Sequence, residues 1–206
     1  MEKTDLTKSL KSYYTAAPIP QLLTVAKGTF IKIPGQGDPN EKPFEERVQA
    51  LYTTAYGIKN LCKLQSRDFT VCKLEGLWWV EDERWWQHGI INPQSIPKSE
   101  WRWEVMIRMP AYVTDTHFRE AIAKAIEKKK MDLLQEVTIE QWEEGKCVQV
   151  MHTGPYATEA FTLGLMHDFI EQQGLTATGR HHEIYLSDPR KAAPEKMKTI
   201  LRQPVK

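Results

Sequence analysis

The chain has 206 residues, of which 41% are hydrophobic, enough for a compact core and against disorder as the default state. Lysine and arginine number 28 against 27 aspartate and glutamate, a net charge of +1. This balance argues against nucleic acid and membrane surfaces as partners, since both attract proteins with a clear basic excess. The unusual feature is seven tryptophans, six of them within 26 residues: Trp78, Trp79, Trp85, Trp86, Trp101 and Trp103.

The cysteines and the N-terminus indicate a cellular compartment. Cys62, Cys72 and Cys147 are odd in number and lack the short spacing of a disulfide framework or a zinc knuckle, so we expect reduced, mostly buried thiols. The opening MEKTDLTKSLKSYY lacks the apolar core of a secretion signal, and no stretch approaches the roughly 18 apolar residues that span a membrane. A cytoplasmic protein is expected.

The first half begins with a short amphipathic segment and continues with a strand and a helix. Residues 1–20 are interpreted as a docking arm that ends at Pro18 and Pro20. Residues 29–33 alternate like a strand, residues 34–40 form a turn, and a helix begins near Pro43. Strands are predicted at 68–77 and 101–109, on either side of the tryptophan-rich segment.

The second half follows a linking helix at 116–130 and repeats the same order. A strand is predicted at 147–152, a helix from about residue 158, and two strands at 181–187 and 198–203. The order strand, helix, strand, strand therefore occurs twice. The predicted fold class is α+β: two pseudo-symmetric modules form an antiparallel sheet with helices on one face.

A duplication should hold one sequence offset through each corresponding block. An offset of 117 carries Ile31 to Val148, Ile33 to Val150 and Phe44 to Phe161. For the final strands an offset of 94 matches residues 107–110 with 201–204. A rival alignment matches Glu104 with Glu183, but it leaves the strand at 68–77 without a counterpart.

Four segments together resemble the GyrI-like small-molecule-binding family: FIKIPGQGDPN, KLEGLWW, WRWEVMIRMP and the C-terminal HHEIYLSDPRKAAPEKMKTILRQPV. The resemblance implies two modules about a pseudo-twofold axis, with a ligand groove between them and an acidic residue at the base of an aromatic pocket. It sets module one at 29–110, a linking helix at 114–130 and module two at 146–206, within a domain of residues 21–206. The LEGLWW and WRW segments resemble a stand-alone subgroup that hydrolyses the cyclopropane of DNA-alkylating natural products of the yatakemycin and duocarmycin type.

Glu183 is the first candidate site residue. Strand alternation places Glu183 and Tyr185 on one face and His182, Ile184 and Leu186 on the other. If Ile184 and Leu186 pack against the helices, Glu183 and Tyr185 point into the groove. The resemblance makes Glu183 the acid at the pocket base and catalytic base. Tyr185 is then the first choice to hydrogen-bond the developing phenolate, with Tyr112 and Tyr156 as alternatives.

The tryptophans are divided between core and ligand contact. Adjacent residues of an extended chain face opposite ways, so neither Trp78 and Trp79 nor Trp85 and Trp86 can both point inward. We expect Trp78 or Trp79, together with Trp101 or Trp103, to contact ligand. Trp85 and Trp86 lie among charged residues and could form a lid or an interface.

Other chemistries find no support in the sequence. His181 and His182 point to opposite faces, so a shared metal is not expected, and no nucleophile triad or phosphate loop is recognised. No metal and no cofactor are predicted. The expected ligand is a planar hydrophobic small molecule, bound by a monomer or weak homodimer and hydrolysed at its cyclopropane. The alternative is a binding or sequestering module without turnover.

Overall fold

The computed structural model describes residues 3–82 and 95–206, and the order strand, helix, strand, strand occurs twice in them, as predicted. The tryptophan-rich segment is therefore covered only in part. The helices are α1 Leu6–Ser9, α2 Lys11–Tyr14, α3 Lys42–Leu64, α4 Asp115–Lys129 and α5 Glu159–Gln172. The strands are β1 Gln21–Val25, β2 Gly28–Gln36, β3 Leu74–Trp79, β4 Arg102–Met109, β5 Thr138–Trp142, β6 Gly145–Thr153, β7 His181–Tyr185 and β8 Lys198–Pro204.

All eight strands form one antiparallel sheet in the order β1-β6-β8-β7-β3-β4-β2-β5. The sheet divides into two halves of four strands, which meet where β7 pairs with β3. This arrangement confirms the predicted α+β class.

The duplication extends beyond the elements seen in the sequence. β2 and β6 start 117 residues apart, as do α3 and α5. The same offset relates β1 to β5, two strands that the sequence analysis missed. β1 precedes β2 but pairs with β6, whereas β5 precedes β6 but pairs with β2. The outer strand of each half of the sheet therefore comes from the other module, and this exchange links the two modules.

The register of the sheet corrects the offset of the final strands. Ile31 lies opposite Ile107 and its counterpart Val148 lies opposite Gln203, so β4 and β8 correspond at an offset of 96, not 94. Because β4 corresponds to β8, the rival alignment of Glu104 with Glu183 is excluded. The strand predicted at 68–77 is shorter and later, at Leu74–Trp79.

The two faces of the sheet carry different layers. Directly opposed residues of antiparallel strands share a face, and the register Ile33–Val105–Gly76–Glu183 defines what we call the front face. Phe44 of α3 contacts Trp78 and Trp103 there, and Thr162 of α5 contacts His152. Both long helices therefore share a face with Glu183. The condition that Ile184 packs against these helices is not met, because Ile184 lies opposite Glu75 and points to the rear face.

The rear face is covered by the N-terminal segment over a buried polar cluster, here called the rear network. Tyr13 donates a hydrogen bond to the Glu75 carboxylate, and Arg202 donates to the Tyr13 carbonyl oxygen. His182 lies between two acids, with Nε2 3.0 Å from Glu75 and Nδ1 2.9 Å from Glu144. Because Glu75 belongs to β3 and His182 to β7, the rear network joins the two modules directly behind Glu183.

Charge pairing keeps His182 protonated in this network. Burial alone would lower the pKa of His182, but the Glu144 charge and the hydrogen bonds to Glu144 and Glu75 raise it to about 9. Burial would likewise raise the pKa of Glu144, and His182 and Arg202 lower it instead. Folding therefore stabilises protonated His182 and ionised Glu144 together.

This pairing predicts that the protein loses stability as the pH rises from about 6.5 to about 9. The folded state retains the His182 proton in that range whereas the unfolded state releases it, so stability present below pH 6.5 disappears through pH 9. The loss is on the order of 3 kcal/mol. Urea unfolding across this range should show a slope in wild type that is reduced by one proton in His182→Gln, while the raised pKa of Glu159 maintains the remaining slope. An unchanged slope in that variant would disprove the pairing.

Candidate functional site

The strands β3 and β7 lie between the two long helices, on the middle strip of the front face. α3 packs on β2 and β4, and α5 packs on β6. Glu183 of β7 lies directly opposite Gly76 of β3, on the line where the two modules meet. We call this strip the front groove, and Glu183 occupies the middle of its floor.

The Glu183 side chain is largely buried but keeps some contact with solvent. Its side chain is 14% exposed, and its Oε1 atom lies 3.6 Å from Nε2 of His181. That imidazole nitrogen is buried and has no hydrogen-bond partner among the described residues. A carboxylate in such a setting can accept a proton from a small molecule or a water that enters the groove.

A hydrogen bond from Trp78 passes over Gly76 and holds the Tyr185 side chain next to Glu183. Trp78 Nε1 donates to the Tyr185 hydroxyl oxygen at 2.9 Å. A Cβ atom on Gly76 would lie 2.8 Å from Trp78 Nε1 and 2.9 Å from that hydroxyl, so only glycine leaves room for this bond. Burial, the Glu183 charge and a hydrogen bond with Glu183 raise the pKa of Tyr185 well above its usual value, which keeps the hydroxyl proton in place.

Aromatic rings form one wall of the front groove. Trp78 stacks on Phe44 with ring centroids 6.1 Å apart, and it meets Trp101 edge-on at 6.2 Å. Trp103 lies behind them, fully buried, with its ring over Gly35, where a Cβ atom would lie only 2.1 Å from it. Of the tryptophans predicted to contact ligand, Trp78 shares the front face with Glu183 and contacts Trp101, while Trp103 supports Phe44 from the core.

The structure places two other predicted residues away from the front groove. Trp79 points to the rear face, where the Arg180 guanidinium lies 3.6 Å from its ring centroid. Tyr112 donates its hydroxyl to the carbonyl oxygen of Arg67 at 3.0 Å and packs near Phe69. The expectation for Trp85 and Trp86 falls outside the described residues.

The far wall contains Tyr156, which the sequence suggested, and Glu159, which it did not. The Tyr156 ring meets the Tyr185 ring edge-on at 5.9 Å, and Tyr156 is 42% exposed. Burial and the charges of Glu183, Glu159 and Asp188 raise its pKa to about 12. Glu159, the first residue of α5, is buried, and its burial and the Glu183 charge raise its pKa to about 9.

The pseudo-symmetry shows where the front groove is open. In module one Phe44 packs against Trp78 and Trp103. At the corresponding positions of module two the register gives Tyr185 for Trp78 and Thr199 for Trp103. The counterpart of Phe44, Phe161, is 75% exposed. Module two therefore lacks the two tryptophans that cover Phe44 in module one, and its phenylalanine is exposed.

A second concave surface lies between α3 and α4, with a volume of about 540 Å³. Its floor includes Leu61 and Ala121, and Lys124 and Lys128 lie on its rim. None of its lining residues is an acid. It offers no base for catalysis, so the chemistry points to the front groove.

The remaining candidate chemistries concern thiols and metals. Cys62, Cys72 and Cys147 are free and buried, as predicted, and burial raises the pKa of Cys72 and of Cys147 to about 12. Their thiols are therefore not available as thiolate nucleophiles near neutral pH. Within residues 3–82 and 95–206 no cluster of histidine, cysteine or acidic side chains has the arrangement of a metal site.

The helices α1 to α5 lie within the same ranges, residues 3–82 and 95–206. None of them combines the length and the apolar character that crossing a membrane requires.

The fold and the front groove together define a two-module α+β protein with an acidic, aromatic site at the module junction. The sequence profile of the GyrI-like small molecule binding domain matches residues 102–206. An uncharacterized conserved protein from Listeria innocua is 40% identical over 99% of this chain and 100% of its own, with a TM-score of 0.89. The chain therefore belongs to the GyrI-like family of small-molecule-binding proteins.

Other comparisons extend this result. A structure described as a hydrolase from Listeria innocua is 38% identical, with a TM-score of 0.85 over 99% of this chain and 100% of that one. The C-terminal domain of EcmrR is 10% identical, with a TM-score of 0.56 over 91% of this chain and 96% of its own, and shares the fold alone. Among curated protein sequences no significant match was found.

Proposed function

We propose that this protein binds a planar hydrophobic small molecule in the front groove and hydrolyses the strained cyclopropane of DNA-alkylating natural products of the yatakemycin and duocarmycin type. The observation that carries the proposal is the position of Glu183 beside Tyr185 and Trp78 at the module junction. The 38% identity to a protein described as a hydrolase supports an enzymatic role.

The reaction needs a positioned water and modest assistance from a base. Water attacks the methylene carbon of the cyclopropane while Glu183 accepts its proton, and a new carbon–oxygen bond forms. The strained carbon–carbon bond breaks, and its electron pair moves through the dienone to the carbonyl oxygen, which becomes a phenolate and then takes up one proton, so that the net reaction adds one water. General-base assistance of this kind contributes on the order of 10²- to 10⁴-fold, and holding water and substrate together adds to it.

The aromatic residues account for affinity and orientation. Trp78 and Trp101 present flat apolar surface on one side, and Tyr156 and Phe161 present exposed rings on the other. Planar ligands gain from stacking on such rings at little entropic cost. Because Trp78 occupies an acceptor site of the Tyr185 hydroxyl, that hydroxyl keeps its proton for Glu183 or for a ligand oxygen.

The direct test is incubation of wild-type protein with an excess of a cyclopropane-bearing alkylator, followed by mass spectrometry. The expected product is the compound plus one water, in many equivalents per protein molecule. Stoichiometric capture of unchanged compound would reject turnover and leave the sequestering alternative.

Replacing Tyr185 by phenylalanine should lower kcat by about 10²-fold, because the hydroxyl no longer orients Glu183 or stabilises charge on the phenol oxygen. Loss of the Trp78 hydrogen bond should cost only about 1 kcal/mol of stability. Steady-state kinetics measure the first effect and thermal unfolding the second.

Tyr56→Phe is the matched control for that variant. Tyr56 is a half-exposed tyrosine of α3 on the wall of the α3–α4 concave surface. Its kcat should equal that of wild type. Equal losses in both variants would show that Tyr185 has no particular role.

A further inference from the structure

Glu159 has an unusual environment for a glutamate at the start of a helix. Only 9% of its surface is exposed, and its Oε1 atom is buried without a hydrogen-bond partner in the described part of the chain. A buried polar atom left unpaired costs about 1–3 kcal/mol and is uncommon in folded proteins. An unpaired buried carboxyl oxygen beside a ligand groove indicates a side chain that contacts the bound ligand.

The charges around Glu159 oppose its ionisation. Glu183 and Tyr185 of β7 and Tyr156 before α5 are titratable groups coupled to this end of the groove, Asp188 after β7 is paired with Arg190, and His181 lies 3.6 Å from Glu183. The positive end of the α5 dipole favours a carboxylate, but burial and the Glu183 charge outweigh it and raise the pKa of Glu159 to about 9. Glu159 therefore keeps its proton near neutral pH.

We propose that Glu159 is a catalytic acid: as a neutral carboxylic acid it donates a proton to the oxygen released by ring opening, while Glu183 acts as the base. The role rests on the proposed function. Water gives one proton to Glu183 and its oxygen to the cyclopropane carbon. Glu159 gives its proton to the oxygen that receives the electron pair of the broken carbon–carbon bond. Transfer of the proton from Glu183 back to Glu159 then restores both groups, and the net reaction adds one water.

The test compares Glu159→Gln with wild type across the pH range. Glutamine has nearly the same shape but cannot donate an acidic proton, so kcat should fall by about 10²- to 10⁴-fold while Kd stays within about threefold. Wild-type kcat should decrease as the pH rises through about 9, and the residual activity of the variant should lack that decrease. Glu171→Gln, an exposed acid of the same helix, is the matched control and should behave as wild type.

A second measurement does not depend on turnover. The infrared spectrum of ligand-free wild type near neutral pH should contain a protonated carboxylic acid band that Glu159→Gln lacks and Glu171→Gln retains. If the wild-type protein hydrolyses the compound and Glu159→Gln has the same kcat and pH profile, the role of Glu159 is overturned but the proposed function is not. A wild type without turnover would overturn the proposed function and this role with it, even where the infrared band shows Glu159 to be neutral.

Discussion

Glu183→Gln should reduce ring opening by about 10²- to 10⁴-fold, while binding of the intact compound stays within about tenfold. The amide retains the size of the side chain and its place opposite Gly76, but it cannot accept a proton from water. Product formation by mass spectrometry measures the first effect, and quenching of tryptophan fluorescence measures the second, because Trp78 shares the front face with Glu183 and contacts Trp101.

Glu104→Gln provides the control for this variant. Glu104 lies on β4, its side chain is 15% exposed, close to the 14% of Glu183, and it points to the rear face near Lys32 and Arg180. Neutralising it should leave turnover unchanged. If both variants lost activity equally, or if Glu183→Gln remained active, Glu183 would not be the base.

The largest expected effect on stability comes from Arg202→Leu. Arg202 is fully buried, donates to Gln149 at 2.9 Å, lies 3.5 Å from Glu144 and has its guanidinium 4.2 Å from the Tyr13 ring centroid. Leucine leaves Glu144 with one positive partner fewer in a buried site, a change that typically costs about 3–5 kcal/mol. For a chain of this length the melting temperature should fall by on the order of 10 °C.

Two further variants make that result interpretable. Arg119→Leu removes an exposed arginine of α4 that pairs with Asp115, and it should change the melting temperature little. Arg202→Lys keeps the charge and loses the branched donor geometry, so its melting temperature should lie between those of wild type and Arg202→Leu. A melting temperature of Arg202→Leu equal to wild type would show that the rear network does not stabilise the module junction.

Most of the duplicated architecture could be predicted because the buried elements have clear patterns. The stripe of α3 and the alternation of β2 and β6 hold one offset, and the structure confirms it. β1 and β5 could not be found in the same way. They are the outermost strands of the sheet and mostly exposed, so their residues carry no alternation of apolar and polar side chains.

The site was predictable only where strand alternation applies. Alternation placed Glu183 and Tyr185 together on one face, although the helices lie on that face and not on the opposite one. The register of the strands is needed to assign Trp78 to the groove and Trp103 to the core, since Trp103 is buried where Gly35 lies opposite it. Glu159 could not be singled out, because acidic residues are common at helix starts and its burial is a property of the folded chain.

The crystal structure of the Glu183→Gln protein with an unreacted cyclopropane compound tests the central claim most directly. The account predicts the compound in the front groove, with its ring system against Trp78 and Tyr156 and its cyclopropane carbon facing Gln at position 183. Density for the compound in the concave surface between α3 and α4, with the front groove empty, would contradict it.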